Sequence, residues 1–186
     1  MKKTVKLQGK NIYLSRYSLA DIDTLNKAAS HKDISRWMSE FPHPYNLKHA
    51  REFISRSRKK WLDKTEYNFS IKLKGSDELI GGVSLVNVNN KQKMAELGYW
   101  LDKVHWGQGY ISEAVKTILE YAFNQVKLHR VYARVFTPNL ASARVLEKSG
   151  FRFEGHEIKS ILKNGRWYDM YRFAILERDF KRKNKK

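Results

Sequence analysis

The stretch from Met94 to Phe123 constrains the fold more than any other part of the chain. Its opening, Met94-Ala95-Glu96-Leu97-Gly98-Tyr99-Trp100-Leu101, crowds apolar and aromatic residues into a strand-length run, with Gly98 set where a bulge is expected. A short polar connection leads to Trp106-Gly107-Gln108-Gly109-Tyr110-Ile111-Ser112. Beyond it Val115, Ile118, Leu119, Ala122 and Phe123 recur at spacings of three and four, the pattern of a helix with one buried face. A strand that enters a helix through a glycine turn leaves the first helical amides without intrahelical acceptors. The helix dipole adds partial positive charge at the same place, so the terminus suits a phosphate. Gly107 and Gly109 let the backbone approach an anion with no Cβ in between.

Two familiar phosphate loops fit poorly. The dinucleotide fingerprint needs a third glycine where Ser112 stands and an acidic residue roughly 20 positions on, where Leu128, His129 and Arg130 lie. No GxxxxGK[ST] run occurs in the chain. Glu96-Leu97-Gly98-Tyr99-Trp100 with Trp106-Gly107-Gln108-Gly109-Tyr110 and Ser112-Glu113-Ala114 instead resembles the acetyl-CoA-binding motif of the GNAT acetyltransferase superfamily. The closest likeness within it is the RimJ/RimL type, whose members acetylate N-terminal amines of ribosomal proteins. Asn139-Leu140-Ala141-Ser142 with Leu146-Glu147-Lys148-Ser149-Gly150-Phe151 matches that family's second motif, in the right order. The chain departs from the superfamily's general pattern at Trp106, common in the RimL branch, and at Ile111, whose bulk narrows the space beside a pyrophosphate.

The resemblance implies an α+β, three-layer αβα fold. Its central sheet would be mixed and mostly antiparallel, with a splayed parallel strand pair and flanking helices. It implies acetyl-CoA as cosubstrate, with no metal. Backbone groups of Trp100 and Leu101 would hold the pantetheine arm in the splay, and those of Gly107, Gln108, Gly109, Tyr110, Ile111 and Ser112 would hold the pyrophosphate. Asn139 matches the family residue that hydrogen-bonds the pantetheine amide, a role compatible with capping its helix. Many members use a tyrosine as acid seven residues after that asparagine, where this chain has Leu146. The RimL branch carries a serine three after it, here Ser142, which would donate a hydrogen bond to the thioester sulfur or oxyanion. The region before the sheet walls the acceptor site in RimL-like proteins, which makes Trp37, Met38 and Tyr45 candidate substrate contacts or, equally, helix packing.

Acetyl transfer to an amine needs a base. An N-terminal α-amine with a pKa near 7.7 is substantially neutral at physiological pH. A lysine near 10.4 costs roughly 3.7 kcal/mol more to deprotonate. A carboxylate acting through water suffices for the former. Glu96, on the strand expected to face the acceptor, is the candidate; its alternative is a solvent-facing residue or an arginine partner.

Composition bounds the partners. A chain of 186 residues is expected to form one domain over 1–186, with a basic tail at 181–186. With no cysteine, it has no disulfide, thiolate metal site or cysteine nucleophile. His105, His129 and His156 have no ligand spacing. The start of the chain lacks the apolar segment of a signal peptide, and no apolar run is long enough for a membrane helix, so a soluble cytoplasmic protein, monomer or homodimer, is expected. The net charge of +18 fits a polyanionic neighbour such as a ribosome or RNA, or solvated faces at Arg56, Arg58, Lys59 and Lys60. Three functions follow: an N-acetyltransferase for a protein N-terminus, the same chemistry on a polyamine or aminoglycoside, or a non-catalytic RNA-associated module.

In chain order, Lys10 to Tyr17 reads as a strand, and Ser18 with Asp21 as a capping box opening a helix through Ile22, Leu25, Ala28 and Ala29. A short helix is expected around Ile34 to Met38, and Phe41-Pro42-His43-Pro44-Tyr45 must be extended. Asn46 caps a helix with Ala50, Phe53, Ile54, Ser57 and Trp61 on one face. Strands follow over Tyr67 to Leu73 and Leu79 to Val88, forming a three-stranded meander with Met94–Leu101. Arg130 to Phe136 is the parallel strand, and Asn139 to Gly150 brackets a helix. Strands at about Phe151 to Leu162 and Arg166 to Leu176 flank the hairpin turn Asn164-Gly165.

Overall fold

The computed structural model describes residues 5–38 and 44–183. Eight strands form one sheet in the order β1-β2-β3-β4-β5-β6-β8-β7: β1 Lys6–Gln8, β2 Ile12–Arg16, β3 Tyr67–Leu73, β4 Leu79–Asn89, β5 Met94–Leu101, β6 Arg130–Phe136, β7 Arg152–Lys163 and β8 Arg166–Leu176. Every neighbouring pair is antiparallel except β5 and β6. A parallel pair cannot be joined by a tight turn. The chain crosses between them through α4, Tyr110–Asn124.

The helical face anticipated for α4 is the buried one: Val115, Ile118, Leu119 and Ala122 are fully buried and Phe123 nearly so. They pack with α5 (Leu140–Ser149) and alternate residues of β5, Ala95, Leu97 and Leu101, in the larger core cluster. A second cluster gathers α1 (Ile22–Ala29), α2 (Lys32–Ser35) and α3 (Leu47–Leu62) around Tyr17, Leu79 and Trp100. Strand alternation therefore sends Trp100 to one layer and Leu97 and Leu101 to the other. Gly82 makes the Trp100 side possible, because a Cβ there would collide with the Tyr17 hydroxyl and the Trp100 indole nitrogen.

Local chemistry explains most boundaries. Ser18 and Asp21 form the expected capping box, but it opens a single 3₁₀ turn, Leu19–Asp21, before α1. Asn46 caps α3 by accepting from the His49 amide at 3.1 Å. Gly150 ends α5 with φ of 97°, and the β7–β8 turn places Asn164 and Gly165 at φ of 49° and 74°, as a two-residue type I′ hairpin requires.

Several expectations need correction. Gly98 pairs regularly with Ser84; the register shift lies between Val86 and Asn89, where Asn87 takes φ of 51°. The short helix is α2, Lys32–Ser35, and stops before Met38. The meander of β3, β4 and β5 is present as expected, and β2 and the polar segment Lys6–Gln8, which adds β1, extend it to five antiparallel strands. Residues 181–183, read as tail, lie in a sixth helix, α6 (Glu177–Lys183), anchored by buried Phe180. Phe41, Pro42 and His43, expected to be extended, lie outside the described residues.

Candidate active site

The parallel ladder is short. Met94, Ala95 and Glu96 pair with Arg130, Val131 and Tyr132, and the register ends there. Leu97–Leu101 stays bonded to β4, and Ala133–Phe136 stays bonded to β8, so the two strands face each other across an opening. That opening belongs to a cavity of about 930 Å³ that runs between the two helical layers.

At one end stands the glycine turn. Gly107 and Gly109 have φ of 76° and 82°, and an added Cβ at either would meet open space. Gly109 is the N-cap of α4. Gly107, Gly109, Tyr110 and Ile111 border the cavity, whereas Gln108 and Ser112 do not; the Gln108 amide turns back to the Val104 carbonyl at 3.1 Å. The Trp106 indole donates to the Leu101 carbonyl at 2.8 Å, so that carbonyl, one of the groups expected to serve a ligand, is already engaged. Glu113 fixes the helix end from outside. Its carboxylate accepts from the Asn11 and Ile12 amides at 2.7 and 3.2 Å and from the Asn11 side chain at 3.1 Å. A Cβ at Gly9 would collide with Glu113 Oε1, so a side chain there would push the carboxylate aside.

Midway, Trp100, Leu101, Asn139 and Ser142 all border the cavity. Asn139 caps α5, its Oδ1 accepting from the Ser142 amide at 3.2 Å. Across the splay, the Tyr99 hydroxyl lies 2.8 Å from Ser142 Oγ and 3.1 Å from the Ser142 carbonyl. Burial holds the Tyr99 hydroxyl well above the ordinary tyrosine pKa, only partly offset by Ser142. Burial raises the Tyr17 hydroxyl above the ordinary tyrosine range, opposed by the hydrogen bond that the Trp100 indole donates to it.

Glu96 lies at the closed end of the splay and borders the cavity. It is paired: Arg134 Nε donates to Oε1 at 3.0 Å and Asn87 Nδ2 to Oε2 at 3.1 Å. The pair continues across the sheet, since Arg172 Nε donates to Glu157 at 2.5 Å and its guanidinium lies 5.4 Å from the Tyr132 ring centre. Of these charged groups only Glu96 and Arg134 border the cavity. Burial, and next the Glu96 charge, raise the Tyr132 hydroxyl.

At the far end, Trp37 packs on Phe136 with centroids 6.0 Å apart. The Met38 carbonyl accepts from Lys163 Nζ at 2.7 Å, which ties the end of this helical segment to the β7–β8 hairpin. Tyr45 is buried beside His49, and burial pushes its hydroxyl up to about 12 against a smaller opposing effect of Arg56. All three border the cavity. Among the described residues, four carboxylates also line it, Asp33, Glu52, Glu66 and Glu96. Each has a cation beside it: Lys103 at 2.8 Å, Lys48 at 4.0 Å, Lys60, and Arg134 at 3.0 Å, respectively. Tyr99, Arg134, Phe136 and Arg56 also border the cavity, although no sequence motif singles them out as site residues.

A long helix entered through two left-handed glycines stands beside a parallel pair that opens after three rungs. The chain belongs to the GNAT family: the model for the acetyltransferase (GNAT) domain matches residues 11–152. It is 37% identical over 177 residues to the probable N-acetyltransferase YjcK of Bacillus subtilis (strain 168), which spans 93% of this chain and 98% of that protein. Mycobacterium smegmatis RimJ, solved in complex with CoA-disulfide, matches at TM-score 0.83 and 25% identity over 93% of this chain and 86% of that one. Spermidine N-acetyltransferase from Vibrio cholerae, solved with CoA and spermine, matches at TM-score 0.80 and 25% identity over 91% and 98%. No described helix is long and apolar enough to cross a membrane.

Proposed function

We propose that this protein transfers the acetyl group of acetyl-CoA directly to a primary amine in a ternary complex, and that the amine is a protein N-terminal α-amine of the ribosomal-protein type. The diphosphate would sit on the first-turn amides of α4, with Gly107 and Gly109 leaving it room. The pantetheine arm would lie in the splay as an extra strand, and the Asn139 side-chain nitrogen, left over after capping, would meet its amide. The amine would enter from the Trp37, Met38 and Tyr45 end.

The observation that carries the choice of acceptor is the neutralised cavity wall. A polycation such as spermidine needs uncompensated negative charge, yet among the described residues each of the four lining carboxylates has a lysine or arginine within 4.0 Å. Arg56 adds further positive charge at the acceptor end. An α-amine also asks little of its base, which agrees with a Glu96 held as an ion pair and acting through water. The spermidine enzyme among the structural relatives keeps the polyamine reading as the alternative.

Acetyl-CoA is incubated with free-amine peptides, the same peptides capped at the amino end, spermidine and an aminoglycoside, following thiol release. Thiol release with uncapped peptides alone is expected. Release with spermidine alone would move the acceptor to the polyamines, and CoA binding with release on no amine would favour a non-catalytic module.

A further inference from the structure

Tyr99 leaves β5 within the open part of the splay and reaches across to the first turn of α5. Its hydroxyl has one proton and two acceptors in range, Ser142 Oγ at 2.8 Å and the Ser142 carbonyl at 3.1 Å. Ser142 Oγ likewise has one proton. If Tyr99 donates to the carbonyl, nothing aims the serine proton at the cavity, and the Tyr99 oxygen 2.8 Å away competes for it. If Tyr99 donates to Oγ, the serine proton is free to point elsewhere, and both residues border the cavity.

We infer that Tyr99 is a positioning residue for acetyl transfer: by donating to Ser142 Oγ it turns the serine proton toward the thioester. This rests on the acetyl-transfer reading above. In the reaction the amine nitrogen bonds to the thioester carbon and the carbonyl electron pair moves onto oxygen. The intermediate then re-forms C=O and breaks C–S, leaving the pair on sulfur, while the amine proton departs through the base to solvent. Charge develops first on oxygen and then on sulfur, and a fixed hydroxyl proton stabilises both. Neither hydroxyl gives up its proton. A thiol has a pKa near 8.5, below tyrosine near 10, so the thiolate takes its proton from solvent while Tyr99 stays neutral.

The test uses the full chain with Tyr99→Phe, Ser142→Ala and both together, read by kcat, KM for acetyl-CoA, the pH profile of kcat and the CoA dissociation constant. Tyr99→Phe is expected to lower kcat about ten-fold, with KM and CoA affinity within about two-fold and the pH profile unmoved. The double variant is expected to be no slower than Ser142→Ala alone, because the tyrosine acts only through the serine. A Tyr99→Phe enzyme with parental kcat, or a double variant showing the product of the two losses, overturns the inference. A shifted alkaline limb also does so, since it makes Tyr99 a titrating acid. If Tyr99→Phe does not fold, a parental kcat in Ser142→Ala decides against it. Failure of the parent to release thiol on any amine refutes the acetyl-transfer reading itself, an outcome visible before any variant is made.

Discussion

Gly109→Ala separates the ligand from the backbone that would hold it. Gly109 has φ of 82° with open space where a Cβ would be, so alanine meets no protein atom and suffers only left-handed strain, about 1–2 kcal/mol. For a chain of this size that lowers Tm by roughly 2–8 °C. Gly75→Ala is the matched control: φ of 94°, open space at Cβ, and a position in the β3–β4 turn that does not border the cavity. The two variants should lose similar stability. If a diphosphate rests on the α4 amides, Gly109→Ala should also lose a charge-assisted hydrogen bond worth about 1.5–3 kcal/mol, which weakens CoA binding roughly 10- to 150-fold. Calorimetric titration of CoA into parent and both variants gives the comparison. Equal CoA affinity in the two variants would refute the placement of the anion at this helix end.

Three further outcomes follow from the geometry. Glu96→Gln should cut kcat by about 10²–10⁴ while CoA affinity stays within about two-fold, measured by steady-state kinetics and calorimetry; a small effect would hand proton removal to water alone. Ile118→Ala opens a cavity in the fully buried face of α4 and should cost about 2–5 kcal/mol in denaturant unfolding. The hydrogen bond from Arg130 holds the Glu154 carboxyl below its ordinary value of 4.5, so its contribution is fully present above pH 4.5 and fades as pH falls through the lowered pKa. Arg130→Met should flatten that acid limb of the unfolding profile, and an unchanged limb would place the acid sensitivity elsewhere.

Much of the scaffold is written locally in the chain. The face of α4, the caps at Asn46 and Asn139 and the Asn164-Gly165 turn each depend on residues within a few positions of one another, and all are found in place. Glycine is the usual mark of an irregular strand and points to Gly98 as the bulge, whereas Asn87 adopts the left-handed conformation and Gly98 stays in register. β1 is three residues with no alternation to read, and α6 is a charged segment whose place depends on burying Phe180 against Phe123, 5.3 Å between centroids. The site divides the same way. Its glycines and helix terminus are contiguous, but Tyr99 meets Ser142 43 residues away and Glu96 meets Arg134 38 residues away. Such pairings exist only once the crossover through α4 has brought β5 and β6 together. The register that stops at Tyr132 is likewise a property of the two strands jointly, with no local signature in either.

Backbone amide hydrogen exchange with and without CoA tests the cleft itself. The account predicts slowed exchange at Tyr110, Ile111 and Ser112 and along the facing edges Leu97–Leu101 and Ala133–Phe136, with the Met94–Glu96 ladder, already paired to Arg130–Tyr132, changing little. Protection confined to other surfaces, or none at these edges under saturating CoA, would contradict it.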